Sequence, residues 1–176
     1  MQHWENTMKA GSLAESEQQV RSFIAKFDPG HQTLIRKVRK ALRKRFPTGY
    51  ELAYDNYNFF GLGYGPTERP SDCVVSMAAG ASGVGLCFIH GARLADPRGL
   101  LLGSGNQTRF IRLDSAEVLA RPEVEALIAA AVKHSKTPFR DSSRVALIIR
   151  SISAKQRPRR KAARPDRPIR PGNVRS

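Results

Sequence analysis

The amino-acid sequence predicts an α+β domain: a two-layer sandwich in which helices pack on one face of an antiparallel sheet of about five strands, with a disordered basic C-terminal tail. Three observations indicate this class. Apolar residues recur at helical spacing over residues 16–45 and again over residues 122–136. Residues 50–113 instead alternate with a period of two and carry turn residues every few positions, as in an antiparallel meander. The length of 176 residues suits one domain with tails rather than two separate cores.

Two helices are predicted near the N terminus. The first spans residues 16–27 and ends at an Asp-Pro-Gly turn at residues 28–30, and the second runs from there to about residue 45. Their apolar stripes consist of Val20, Phe23, Ile24, Phe27, Ile35, Val38, Leu42 and Phe46. The other faces of the second helix are almost entirely Lys and Arg. Residues 1–15 precede the first stripe and are predicted to be a flexible N terminus.

Five strands are predicted to follow, near residues 50–55, 57–63, 72–79, 84–90 and 107–113. The turns between them are rich in Asp, Asn and Gly, which tolerate the left-handed backbone of tight hairpins, as at residues 80–83. A hairpin that turns there places Cys87 opposite Ser76. The two thiols, Cys73 and Cys87, are then predicted to point to opposite faces of the sheet, on the order of 10 Å apart, which is too far for a disulfide.

The last part of the domain holds three further signals. Asp96-Pro97 predicts the start of a short helical turn, because an oxygen acceptor precedes a residue whose backbone angle is already helical. The final amphipathic helix follows. Residues 145–149, Val-Ala-Leu-Ile-Ile, fit either a final strand or a last turn of packing. The domain is predicted to span residues 16–152, because the Arg- and Pro-rich residues 153–176 hold too few apolar groups to fold.

The net charge of +15 is concentrated in two segments. Residues 154–176 hold nine basic residues and one acid, a charge of +8, and residues 31–48 hold seven basic residues and no acid, a charge of +7. The rest of the chain is neutral, with 14 basic and 14 acidic residues. Because net charge informs on partners rather than on fold, polyanions are the natural partners of these two segments.

The second helix contains one candidate site. Its cations repeat at a spacing of four residues, and each like-charge pair at that spacing is unfavourable by about 0.2–0.5 kcal/mol. The candidate polyanion-binding residues are Arg36, Lys37, Lys40, Arg43 and Lys44. Alternatively, these cations form a solvated face that binds no partner. If they do bind a polyanion, an acidic protein and an anionic membrane are open alternatives to nucleic acid. Nonspecific nucleic-acid association through residues 36–45 and the basic tail is the second functional hypothesis, since no groove-reading or base-stacking motif is present.

Several classes of protein do not fit the sequence. The polar first residues lack the apolar stretch of a secretory signal, so a cytoplasmic location is expected. The most apolar stretch, residues 74–89, is interrupted by glycine and is shorter than the ~20 residues that span a bilayer, so no transmembrane segment is predicted. Metal-ligand spacing is absent, and no nucleophile has a partnered base. The sequence therefore predicts no catalytic residue and no metal ligand.

A group of short motifs carries a family resemblance. Glu-Leu-Ala-Tyr begins the predicted sheet at residue 51, and Gly-Ala-Arg-Leu-Ala-Asp-Pro at residues 91–97 is followed by Leu-Leu, Gly-Ser-Gly and, from residue 109, Arg-Phe-Ile-Arg. Over about residues 20–135 the chain resembles the YdhG-like domain family, a domain of unknown function, some of whose members are described as frataxin-like iron chaperones. The resemblance implies a small α+β sandwich and suggests iron handling. Asn106 stands where relatives often have Lys, and the second helix is basic where iron handling uses an acidic face.

The loop from His90 to Arg112 contains the other candidate site. Backbone amides of its Gly-Ser-Gly turn offer an anion nest beside several arginines. Alternatively, these glycines only shape turns and Asp96 only caps a helix. The candidate ligand-binding residues are Tyr54, His90, Arg93, Asp96 and Arg109. The leading hypothesis is a non-enzymatic cytoplasmic protein that binds a small or anionic ligand, and acid–base chemistry by His90 and Asp96 is a third hypothesis.

Overall fold

The computed structural model describes residues 12–141 and 144–162, and it confirms the α+β class. The helices are α1 (Leu13–Ala25), α2 (Pro29–Arg45) and α3 (Pro122–Lys133). The strands are β1 (Tyr50–Asp55), β2 (Phe60–Gly65), β3 (Val75–Gly80), β4 (Gly83–Phe88), β5 (Arg109–Arg112) and β6 (Ala146–Ile152). Short 3₁₀ turns lie at Pro70–Asp72, Gly91–Arg93 and Ala116–Ala120.

The six strands within these described ranges form one mixed sheet in the order β5-β4-β3-β2-β1-β6. Strands β1 to β5 pair antiparallel as predicted, and the pairing of Ser76 with Cys87 confirms the register of the β3–β4 hairpin. The expectation of about five antiparallel strands is corrected by β6, which runs parallel to β1. A parallel pair needs a crossover connection, and α3 lies in the chain that leads from β5 to β6.

The described helices pack on one face of the sheet, as predicted. Their apolar stripes and the inward-facing strand residues form a single hydrophobic cluster. Its fully buried members include Phe27, Ile35, Leu42, Phe60, Met77, Leu86 and Ile128. Helix α1 begins at Leu13, earlier than predicted, because Ser12 and Glu15 form a capping box in which each side chain accepts a hydrogen bond from the backbone amide of the other.

The opposite, outward face of the sheet is crossed by the chain just before β3. A Cβ on Gly63 would lie 2.9 Å from Cys73 Sγ, and a Cβ on Gly65 would lie 2.9 Å from Cys73 Cα, so this close approach requires glycine in β2. The prediction that the two thiols point to opposite faces is wrong, because Cys73 precedes β3 and folds back over β2, on the same face as Cys87. Both cysteines are free, and burial raises the pKa of the Cys73 thiol to about 12.

The chain beyond β6 packs against the sheet in what we term the C-terminal strap, residues 153–162. The Arg157 amide donates to the Tyr57 carbonyl at 2.8 Å, and Arg159 Nη2 donates to Asp55 Oδ1 at 3.0 Å. Arg159 is 4% exposed and Asp55 is fully buried. The expected disorder from residue 153 onward therefore does not hold for the strap, because one of its arginines meets a buried carboxylate.

Two groups of predictions concern the ends of the chain and membrane insertion. Residues 1–11 of the predicted flexible N terminus and residues 163–176 of the predicted disordered tail lie outside the described residues. In the described part of the chain, no helix combines the length and the apolar character that crossing a bilayer requires.

Candidate functional site

A cavity of about 270 Å³ lies between the turn after β4, the 3₁₀ turn before β3 and the segment that follows α3. Its apolar lining consists of Val74, Phe88, Leu94 and Ala131. Its polar lining includes His90, Arg93, His134 and Lys136. The volume is slightly below the ~300 Å³ at which pockets for drug-sized ligands begin, so the space suits a small metabolite rather than a peptide.

Two of the five predicted ligand-binding residues, His90 and Arg93, line this cavity, whereas Tyr54, Asp96 and Arg109 do not. Tyr54 lies on the outward side of β1, where burial raises the pKa of its hydroxyl. Arg109 Nη1 donates to the carbonyls of its own loop, including that of Thr108 at 2.9 Å. Arg109 therefore stabilises the loop.

Asp96 has a structural role. Its carboxylate accepts the backbone amides of Leu100 at 2.9 Å and Leu101 at 2.8 Å, and the Gly99 amide donates to its carbonyl at 3.1 Å. The predicted short helix is absent from this described loop, where Asp96 instead closes a turn. The sequence signal identified an oxygen acceptor correctly, but the chain beyond Pro97 turns rather than winding into a helix.

His90 connects two walls of the cavity. Its Nε2 lies 3.1 Å from the Ser71 carbonyl, and its Nδ1 lies 3.1 Å from Gln107 Nε2. Because the Gln107 amide group donates, Nδ1 is the acceptor and Nε2 carries the proton that is donated to Ser71. Both ring nitrogens are occupied, so His90 positions the wall and has no free nitrogen for acid–base chemistry.

Three cation-capable side chains line the cavity. Arg93, His134 and Lys136 are exposed, and in the described ranges none of their side chains forms a hydrogen bond or an ion pair. Asp72 is the acid in the lining, and it accepts a hydrogen bond from Thr67 Oγ1 at 2.7 Å. The rim of the cavity therefore carries two cations, Arg93 and Lys136, against one acid, above an apolar floor.

Sequence reasoning missed His134 and Lys136. They follow α3, far along the chain from His90, and only the placement of α3 on the sheet brings them to this cavity. A local signal exists, because a helix end followed by His and Lys concentrates positive charge. That signal does not identify the loop on the other side of the cavity.

A larger depression of about 570 Å³ surrounds the tip of the β3–β4 hairpin. Its charged lining residues, Arg112 and Asp114, have opposite signs, and much of the remaining lining is glycine and alanine. The smaller cavity instead has two cations, Arg93 and Lys136, against the one acid Asp72, so we place the candidate site in the smaller one.

The basic helix α2 is partly neutralised. Arg39 Nη2 lies 2.6 Å and Arg43 Nη2 lies 2.8 Å from Glu51 Oε1, and both arginines also contact Glu17. Glu51 is fully buried and also accepts the Tyr64 hydroxyl at 2.8 Å. Arg43, a predicted polyanion contact, is therefore corrected to an internal ion-pair partner.

The Glu51 network keeps its carboxylate charged. Burial opposes that charge, but the hydrogen bonds from Arg43 and Arg39 outweigh burial and lower the pKa of the Glu51 carboxyl. Burial, together with the Glu51 charge, raises the pKa of the Tyr64 hydroxyl well above its ordinary value. The other four predicted polyanion contacts, Arg36, Lys37, Lys40 and Lys44, are exposed.

The acids of β1 do not fit an iron site. Glu51 is held by the arginines of α2, and Asp55 is held by Lys26 and Arg159, so neither carboxylate presents free oxygens to a metal ion. The two lie four residues apart on one strand, on the order of 13 Å. Across residues 12–141 and 144–162, no three His, Cys, Asp or Glu side chains are grouped to hold a metal.

Comparisons of the chain with models of known protein families, with curated proteins and with solved structures found no match. The resemblance to the YdhG-like family stays a prediction.

Proposed function

We propose that this protein binds a small organic anion in the 270 Å³ cavity. One observation carries the proposal: Arg93 and Lys136, from two separate segments, both line this apolar-floored cavity, and neither has an acidic partner in the described part of the chain. Two cations against the one acid in the lining, Asp72, leave the cavity with a net positive charge that attracts an anion. Their separation in sequence means that the fold, rather than local composition, brings the two cations together.

The lining of the cavity also indicates the chemical class of the ligand. Arg93 offers a planar fork that matches a carboxylate or phosphate, and Lys136 adds a point charge to the same cavity. The floor of Val74, Phe88 and Leu94 favours an apolar body attached to the anionic group. A monocarboxylate with a short aliphatic or aromatic body combines these properties.

The surrounding groups favour binding over turnover. Both nitrogens of His90 are engaged, and the Asp96 carboxylate caps backbone amides. Burial raises the pKa of both the Cys73 and the Cys87 thiol, which keeps them in the unreactive protonated form near neutral pH. These assignments leave the cavity with charge and shape but without an activated nucleophile.

Calorimetric titration with two matched probes tests the proposal. Benzoate carries the carboxylate and an apolar ring, and benzamide is its neutral isostere. We expect benzoate to bind and benzamide to bind at least about tenfold more weakly, because a hydrogen bond to a charged group contributes about 1.5–3 kcal/mol. Arg93→Gln and Lys136→Gln are each expected to weaken benzoate binding about tenfold.

Arg98→Gln is the matched control, because Arg98 is exposed on the same loop and does not line the cavity. It removes one positive charge and is expected to leave benzoate affinity within a factor of two. Equal affinity for benzoate and benzamide would contradict the proposal. So would an Arg98→Gln effect as large as that of Arg93→Gln, since attraction by net charge alone would then explain the binding.

A further inference from the structure

The fold compensates some cations of α2 and leaves others free. Of its seven Lys and Arg residues, Arg39 and Arg43 pair with Glu51 and Glu17, and Arg45 Nε pairs with Glu125 at 2.7 Å. The remaining four form what we term the outer face of α2: Arg36, Lys37, Lys40 and Lys44. In the described ranges none of these four forms an ion pair. Lys37 has a longer-range electrostatic attraction to Glu117. The structure therefore reduces the positive surface of the helix to these four side chains.

The outer face of α2 is linear. Arg36, Lys40 and Lys44 follow one another at spacing four, which places them about 6 Å apart along about 12 Å of helix at 1.5 Å per residue. Lys37 lies beside this row, and Arg36 Nη2 donates only to the neutral Gln32 side chain at 3.0 Å. The like-charge pairs in the row cost about 0.2–0.5 kcal/mol each, a cost that an anionic partner removes.

The C-terminal strap brings further charge to the same side of the sheet. Arg159 anchors the strap on Asp55, and Arg160 Nε then donates to the Lys26 carbonyl at 3.3 Å, at the C-terminal end of α1. Helix α2 begins three residues after Lys26. The basic strap therefore contacts the turn between α1 and α2, next to the N-terminal end of α2.

We propose that the outer face of α2 binds the phosphate backbone of nucleic acid without regard to sequence. The apolar side of α2 is buried in the core, so this helix has no apolar face to insert into a membrane. The outer face carries no apolar or aromatic residue to form the core of a protein interface. A row of cations fits a linear polyanion, and duplex DNA carries one charge per ~1.7 Å of helix axis.

Three variants that each lose four positive charges test this site in the full-length protein. The helix variant converts Arg36, Lys37, Lys40 and Lys44 to Gln. The control variant converts Arg69, Arg98, Arg112 and Arg140 to Gln, all of them exposed and none of them part of α2. The tail variant converts Arg164, Arg167, Arg170 and Arg175 to Gln. Fluorescence anisotropy with a labelled 20-base-pair duplex, over a salt series, gives the affinity and its salt dependence.

Each phosphate contact contributes about 0.9 to the slope of log K against log salt. We expect the helix variant to lose about 3 to 4 units of slope, the single change Lys40→Gln to lose about 0.9, and the control variant to keep the wild-type slope within about one unit. Duplexes of different sequence should bind wild type equally. The single change is a safeguard if the fourfold helix variant fails to fold.

Four results would overturn the proposal. The first is a helix variant and Lys40→Gln that both retain the slope of the control variant. The second is a loss of binding confined to the tail variant. The third is wild-type protein that binds phosphatidylserine vesicles but not the duplex. The fourth is a strong preference for one duplex sequence, which would require base contacts that this helix face is not proposed to make.

Discussion

Replacing Glu51 with Gln tests the charge arrangement beneath α2. Glu51 is fully buried, and the side chains of Arg39 and Arg43 that surround it are 11% and 30% exposed. The substitution keeps the shape, but among the described residues it leaves Glu17 as the one acid in contact with the two guanidinium groups. Removing one partner of a buried ion pair costs about 3–5 kcal/mol. We expect about 3 kcal/mol, the low end, because water reaches Arg43. For a chain of this size the corresponding loss of melting temperature is about 6–12 °C.

Urea unfolding followed by circular dichroism at several pH values measures this effect. Because the folded-state pKa of Glu51 is lowered from its ordinary value of 4.5, its contribution is fully present above about pH 4.5 and is lost as the pH falls through the folded-state pKa. The stability difference between wild type and Glu51→Gln should therefore be largest near neutral pH and should narrow in acid. Glu68→Gln, at an exposed position, is the control and is expected to change stability by less than about 0.5 kcal/mol.

Two results would contradict the expected role of Glu51. One is a Glu51→Gln protein within about 0.5 kcal/mol of wild type at pH 7, the range expected of a surface change. The other is a stability difference that does not narrow in acid. Either result would mean that Arg39 and Arg43 are not neutralised by Glu51, and the assignment of only four free cations to α2 would then be wrong.

Two further predictions concern the strap and the outward face of the sheet. Arg159→Gln leaves buried Asp55 with Lys26 as its remaining cation. We expect the free energy of unfolding, measured in urea, to fall by about 3 kcal/mol and amide hydrogen exchange at the end of β1 to become faster. Unchanged exchange there would show that the strap is not anchored. Gly65→Ala places a methyl group against the Cys73 backbone and should lower the free energy of unfolding by about 1–3 kcal/mol. Gly105→Ala, at a position that faces open space, is the control and should lower it by less than about 0.5 kcal/mol. Equal losses would contradict the close approach of Gly65 to Cys73.

The helices and the antiparallel meander could be predicted because their signals are local. The apolar stripe of α2 and the glycine turn of the β3–β4 hairpin each specify an element within a few residues, and the hairpin turn also predicted the pairing of Ser76 with Cys87. Strand β6 could not be assigned, because its short apolar run does not specify a partner. Its pairing with β1 depends on the crossover through α3, which is a long-range property of the chain.

The candidate site could be predicted only in part, because some of its residues carry local signals and others depend on long-range packing. His90 and Arg93 belong to a loop whose glycines and arginines predicted an anion site, but Lys136 reaches the cavity only through the position of α3. Charge patterning likewise identified α2 as basic without showing that Arg43 points to a buried acid. The anchoring of Arg159 was also beyond composition, because an Arg- and Pro-rich segment is disordered unless one of its residues meets a specific partner.

Backbone and side-chain NMR during a benzoate titration tests most directly whether the small-anion site is the cavity. We expect saturable shifts at His90, Arg93 and Lys136, with the signals of Lys40 on the outer face of α2 and Tyr54 on the outward side of β1 unchanged. Shifts that are largest on α2, or that grow linearly and without saturation across all exposed cations, would contradict this expectation.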